Sequence, residues 1–354
     1  MKKIFETYAL GPLKLKNRIV MAPLTRSRAI DNIPNDLMVQ YYSSRASAGL
    51  LIAEGTSPSP NGLGYARIPG LFNSAQVTGW KKVTDAVHKN GGAIFVQLMH
   101  TGRASHPLNL PEGAKILAPS AIQLSGTMWT DSKEMQPYPI PKEMTLEEIK
   151  STQAEYVKSA ELAIQAGFDG VELHAANGYL MEQFLNPNVN KRTDAYGSNP
   201  AGRMKFVLEI AEQTVKKIGG SKVGIRISPY GAFNDTGEFE GIQEFYVQLA
   251  QKLSALGLAY VHIVDHSSMG APVVSAELKN KIRDNFKGAL ILSGGYTAEK
   301  AQVDLLENKS DLIAFGRPFI SNPDLVEKFK TGAALKEADA TTFYTPGPKG
   351  YTDY

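Results

Sequence analysis

Eight short apolar runs, separated by segments of helical period, constrain this chain more than any other feature. They are Arg18–Met21, Leu50–Glu54, Ala93–Leu98, Gly170–His174, Val223–Ile227, Tyr260–Val264, Ala289–Ser293 and Asp311–Phe315. Several are apolar almost throughout, as strands are when both faces are buried. Such alternation indicates a parallel sheet built from βα units. Eight units predict an α/β fold closed as a (β/α)8 TIM barrel, with an open doubly wound sheet as the alternative.

The intervening segments carry helix signals. Trp80, Val83 and Val87 share a face on a helix running to Gly91-Gly92. Thr145 and Glu148 form a capping-box pattern before a long helix that stops near Gly167. Asn199-Pro200 supplies a cap and first-turn proline for a helix ending at Gly219-Gly220, and Asn322-Pro323 is expected to start the last barrel helix the same way. Two pieces exceed a minimal barrel. Tyr8–Asn17 reads as a hairpin around Gly11-Pro12 that plugs the barrel floor. Residues 103–144, rich in Pro, Ser and Gly, read as a capping excursion over the mouth, after strand three. The expectation is one domain over residues 1–354, since such barrels routinely exceed the usual domain length.

Composition narrows the chemistry. The chain has no cysteine, which removes disulfides, thiolate metal sites and thiol nucleophiles. Electron transfer would need an organic cofactor or a metal held by N and O ligands. The net charge of +3 is small, and Lys and Arg are scattered among acids, so nucleic acid is not an expected partner. The opening lysines are followed by no apolar core of signal-peptide length, and no run is long enough to span a membrane, so a cytoplasmic location is expected.

Catalytic groups of such barrels sit where strands end. Strand seven ends in Ser293-Gly294-Gly295 and strand eight in Phe315-Gly316-Arg317. A Gly-Gly turn alone is commonplace. Beside Gly316-Arg317 it matches a phosphate site, where glycines admit backbone N–H groups to an anion and Arg forks onto its oxygens. Gln97, which donates and accepts at once, suits a pyrimidine-like edge. Arg226 calls for an anionic partner, either a reduced flavin or a structural carboxylate such as Glu172 or Asp169. His174, Asn177 and Tyr179 follow strand four closely; the first two can donate to one carbonyl oxygen and the third offers a phenolic proton. Only His174 and His100 are placed to hold a metal, with no carboxylate at a suitable spacing, so no metal site is expected.

These residues also carry a resemblance to the Old Yellow Enzyme family. It runs from about Leu10 to Tyr354, on Asn17–Thr25, Val96–Arg103, His174–Leu180, Arg192–Gly197 and Ala314–Phe319, in shared order and spacing. The resemblance implies bound FMN, with NADPH or NADH as co-substrate and electron-poor alkenes as substrates. Pro23, Leu24 and Thr25 would line the flavin ring, Gly55 and Gln97 would bond its pyrimidine part, and Arg226 would sit beside N1. Ser293, Gly294, Gly295, Gly316 and Arg317 would hold the phosphate. His174 and Asn177 would grip the substrate oxygen, Tyr179 would donate a proton, and Tyr65 and Tyr344 would wall the substrate pocket.

The implied reaction is a hydride transfer from flavin N5 to the alkene β-carbon, with Tyr179 protonating the α-carbon. Some bacterial relatives carry Trp where this chain has Met99, and the thioether should leave that side of the pocket roomier. The stretch His266–Val274 matches no family motif cleanly. Two rival readings stand beside this one: a flavin-free lyase or isomerase using Glu172 and His174 as acid and base, and a non-catalytic flavin-binding protein. Either a monomer or a homodimer is compatible with the sequence.

Overall fold

A computed structural model describes residues 2–354. Eight parallel strands close into a barrel: β1 (Ile19–Met21), β2 (Leu50–Thr56), β3 (Ile94–Leu98), β4 (Gly170–Ala175), β5 (Val223–Ile227), β6 (Tyr260–Val264), β7 (Ala289–Ser293) and β8 (Leu312–Phe315), with β8 pairing back to β1. Each expected strand is present within a residue or two of its expected bounds. The closed order rules out the open-sheet alternative.

Along each strand, alternate side chains point inward. The lower interior is apolar, filled by Val20, Leu50, Ile52, Phe95, Tyr260, Ile291 and Leu312. Its two large rings fit because glycine stands opposite: a Cβ on Gly170 would lie 2.4 Å from the Phe95 ring, and one on Gly224 2.1 Å from that of Tyr260. The predicted hairpin, Tyr8–Leu10 paired with Leu13–Leu15, closes the floor by adding Leu10 and Leu15 to this cluster.

Helices α1 (Asp36–Ser43), α2 (Ser74–Lys89), α3 (Leu146–Gln165), α4 (Leu180–Leu185), α5 (Pro200–Ile218), α6 (Ile242–Ala255), α7 (Ala276–Asn285), α8 (Ala298–Leu306), α9 (Arg317–Ser321) and α10 (Leu325–Thr331) complete the framework. The Thr145/Glu148 capping box forms reciprocally, and the Asn199 side chain accepts from Gly202 N–H. Asn322 departs from expectation. It follows α9, its side chain bonds Pro318 O, Lys328 Nζ and Lys336 N–H, and α10 starts only after Asp324. With its amide occupied by the returning chain, it caps no helix N-terminus. The 103–144 excursion contains a second hairpin, Thr127–Thr130 with Glu134–Pro137, whose Met128 joins Ala104, Leu124 and Tyr138 beside Tyr65 and Tyr179.

Two fully buried carboxyls, Glu54 and Glu182, are each pushed up to about 7 by burial. A carboxyl raised on folding contributes stability that is full below its unfolded value of 4.5 and is lost as pH rises through about 7. Each group should remove up to ~3 kcal/mol across that window. In Glu54→Gln, unfolding followed from pH 5 to 8 should fall less steeply than in the parent; an identical slope would mean that Glu54 titrates normally.

Candidate active site

The register places a polar layer above the apolar floor. Glu172 on β4 lies beside Gln97 on β3, while Arg226 on β5 lies beside both His174 on β4 and His262 on β6. Glu172 is saturated. It accepts from Gln97 Nε2 at 2.8 Å and Tyr260 Oη at 3.1 Å, and lies 2.9 Å from His262 Nδ1. Burial opposes its charge, but His262, Arg226 and Gln97 outweigh that and hold its carboxyl below the ordinary value. His262 reaches on to Ser293 Oγ at 3.0 Å, and that hydroxyl also donates to Ile263 O. A carboxylate so engaged is closed to acid–base work, which removes the support for the lyase reading.

Arg226 is left over. It is 8 % exposed, its Nε is buried without a partner, and no carboxylate lies within ion-pair distance among the described residues. Neither structural salt bridge forms: Glu172 is satisfied as above, and Asp169 is taken by Ile94 N–H and His88.

His174 Nδ1 and Asn177 Oδ1 are likewise buried and unpartnered. Burial, then the nearby Arg226, His262 and His266, push the His174 imidazole well below its ordinary value, so it is neutral. Asn177 adopts a left-handed φ of 60°. Its backbone is fixed on both sides, the N–H donating to Ser228 Oγ at 2.9 Å and the carbonyl accepting from Asn234 Nδ2 at 2.7 Å. The Tyr179 ring lies 5.0 Å from that of His174, and its hydroxyl is 3.2 Å from the Tyr65 hydroxyl. Burial pushes the Tyr179 phenol up to about 12. His174, Tyr179, Tyr65 and Arg226 thus converge at the barrel mouth.

At the ends of β7 and β8, Gly294 and Gly295 have φ of 124° and 62°. A Cβ on Gly294 would meet Asp265 O at 2.1 Å. Among the described residues, the backbone N–H groups of Gly294, Gly295, Gly316 and Arg317 donate to no protein acceptor. Space opens at Gly316, where a Cβ would meet only Leu24 at 3.4 Å and Ala22 at 4.0 Å, so the β1 end with Pro23, Leu24 and Thr25 adjoins this cradle.

Gly55 serves differently. A Cβ there would sit 2.6 Å from Met99 Sδ, and Met99, 1 % exposed, packs with Leu63 and Ile68 under Tyr65 and Tyr179. Met99 itself is buried, and the missing Cβ of Gly55 is what admits its thioether.

Tyr344 is 62 % exposed, on a C-terminal segment close enough to Tyr65 and Tyr179 to raise their phenols further. Three arginines hold this segment by its backbone. Arg26 donates to the carbonyls of Phe343 and Gly350, Arg28 to those of Thr342, Phe343, Gly347 and Lys349, and Arg67 to that of Tyr344. Arg67 also pairs with Asp131 of the capping hairpin.

Several residues at the mouth escaped the sequence reading. His266, in the loop after β6, packs its ring 4.6 Å from that of Phe233 at a tilt, with Nδ1 buried and unpartnered, and burial and Arg226 push it down to about 4. His262 carried one usable signal, its inward phase on β6. Ser228 carried only its place at the end of strand five, and Asn234 and Arg67 carried none, because they act through contacts distant in sequence. No His/Asp/Glu cluster suited to a metal occurs among the described residues, and no helix there is long and apolar enough to cross a membrane.

Residues 3–336 match the model of the NADH:flavin oxidoreductase / NADH oxidase family. A 12-oxophytodienoate reductase of Oryza sativa is 38% identical, covering 99% of this chain and 94% of the relative. A probable flavin mononucleotide-dependent alkene reductase of Leishmania infantum is 40% identical over 98% and 95%. The solved structure of morphinone reductase superposes with a TM-score of 0.96 at 42% identity, covering 100% of this chain and 96% of that one. The chain belongs to this family, the Old Yellow Enzyme group. Its members are FMN-dependent oxidoreductases, and this chain is one of them. An Old Yellow Enzyme homologue of Zymomonas mobilis superposes with a TM-score of 0.94 at 39% identity over 99% of both chains.

Proposed function

We propose that this flavoenzyme reduces electron-poor alkenes (α,β-unsaturated carbonyls, maleimides and nitroalkenes) with NADPH or NADH as the electron source. The observation that carries the reading is the pair of buried, unpartnered ring and guanidinium nitrogens at one strand-end cluster, His174 Nδ1 and Arg226 Nε, beside a phenol that keeps its proton. Buried polar groups are rarely left without partners unless a ligand supplies them.

The donor set fits FMN. The free N–H groups of Gly294, Gly295, Gly316 and Arg317, with the Arg317 guanidinium, are suited to its phosphate. Ser293 would contribute through its backbone only, since its hydroxyl is committed. Pro23, Leu24 and Thr25 would flank the ring, and Gly55 and the remaining Gln97 amide capacity would meet its pyrimidine part. Arg226, with no carboxylate of its own, would balance negative charge at that edge. FMN held here would supply the two-electron hydride chemistry that links the nicotinamide to the alkene.

The side chains supply the rest. Neutral His174 donates one N–H and Asn177 its amide N–H to the substrate's carbonyl or nitro oxygen, stabilising the charge that develops there. Tyr179, protonated at every working pH below about 12, delivers its proton to the α-carbon. Tyr65 and Tyr344 wall the pocket.

Purified protein should be yellow, release FMN on denaturation and oxidise NAD(P)H when given cyclohexenone. Arg317→Ala should weaken FMN retention roughly ten-fold or more, as a charge-assisted phosphate contact would. Bound FMN without alkene turnover would favour a flavin-binding protein, and a colourless protein a flavin-free enzyme.

A further inference from the structure

Every residue of α4 is buried, including Glu182, which is 1 % exposed. No cation lies within ion-pair distance of its carboxylate among the described residues; hydroxyls and one peptide N–H surround it. Gly178 N–H donates to Oε2 at 2.5 Å, Ser228 Oγ lies 2.9 Å from both oxygens, and Tyr246 Oη lies 3.4 Å from Oε1. Ser228 Oγ in turn accepts the Asn177 N–H. One carboxylate therefore governs two successive peptide N–H groups, one directly and one through a hydroxyl.

Those peptides form a turn that needs holding. Asn177 and Gly178 are consecutive left-handed residues, with φ of 60° and 70°. Such a turn gathers its N–H groups on one side, as anion-binding nests do. An unpaired carboxylate is a costly occupant for an apolar helix, and Leu would fill the space without that cost. What the carboxylate supplies is placement. Asn177 and Tyr179, the two residues flanking Gly178, are the ones to which the proposed reading gives the substrate oxygen and the proton.

We propose that Glu182 is a positioning residue which, through Gly178 N–H and the Ser228 hydroxyl, sets the turn carrying Asn177 and Tyr179 and so the grip on the substrate oxygen. This rests on the alkene-reductase reading above. Its test uses the FMN-loaded enzyme with para-chlorophenol as an oxyanion probe and cyclohexenone as oxidant. Glu182→Gln and Ser228→Ala should each weaken phenolate binding and slow reoxidation roughly ten-fold, with flavin content unchanged. The double variant should be no worse than the poorer single, because both act through one chain of bonds. In an Asn177→Ala background, Glu182→Gln should change phenolate affinity by less than about two-fold. Parental affinity in Glu182→Gln, or the same ten-fold loss without the Asn177 side chain, would overturn the inference. Should Glu182→Gln fail to fold, Ser228→Ala carries the same test, since it spares the carboxylate and the Gly178 bond. A parent holoenzyme that neither binds the phenolate nor reduces cyclohexenone would overturn the underlying reading instead.

Discussion

Tyr179→Phe should leave flavin reduction by NAD(P)H within a few-fold of the parent, while reoxidation by cyclohexenone slows roughly 10²–10⁴-fold, the usual worth of a positioned general acid. The asymmetry follows from where a proton is needed. Adding hydrogen across the alkene requires one at the α-carbon, and reduction of the cofactor takes none from this side chain. The substitution is clean, because the Tyr179 hydroxyl has one protein partner, Tyr65 at 3.2 Å, and the ring packing with His174 is retained. A nitroalkene should suffer less, since its nitronate can leave and be protonated in water. Stopped-flow traces of the two half-reactions decide the matter; equal slowing of both would make Tyr179 a ligand-positioning residue.

The double variant His174→Ala/Asn177→Ala should abolish the long-wavelength absorption band expected when a phenolate stacks on oxidised flavin. Phenolate affinity should fall roughly 10²–10⁴-fold, the sum of two hydrogen bonds to an anion. Neither His174 Nδ1 nor Asn177 Oδ1 has a protein partner, so their removal strands no other buried group and the fold should persist. A titration that retains the band at parental affinity would remove both residues from the assigned role.

The barrel was legible because its strands are continuous apolar runs punctuated by glycine, and local pattern alone predicts eight of them. The strand-end residues were legible because chain order maps onto one rim of a barrel. Asn322 misled because Asn-Pro resembles a helix start, yet its amide is claimed by Lys336 N–H from the returning chain, a contact no local window contains. The burial of Met99 was not legible either, because it depends on its spatial neighbour Gly55 lacking a Cβ that would hold the thioether off. Arg226 left two readings open in sequence. What separates them is whether Glu172 has other donors, and Tyr260 and His262, about ninety positions away, supply them. Ser228 and Glu182 became visible only as a chain of hydrogen bonds.

The way the C-terminal segment is fastened bears on how such an enzyme can diversify. Arg26, Arg28 and Arg67 take hold of peptide carbonyls, which every residue type possesses, and leave the Tyr344 side chain exposed near Tyr65 and Tyr179. Anchorage is thereby uncoupled from the identity of residue 344. The exposed Tyr344 side chain can therefore change without loosening the attachment, which makes position 344 a natural place for substitution, whereas the three arginines beneath it, and the Thr345 hydroxyl and Tyr351 ring they also touch, are positions to leave alone.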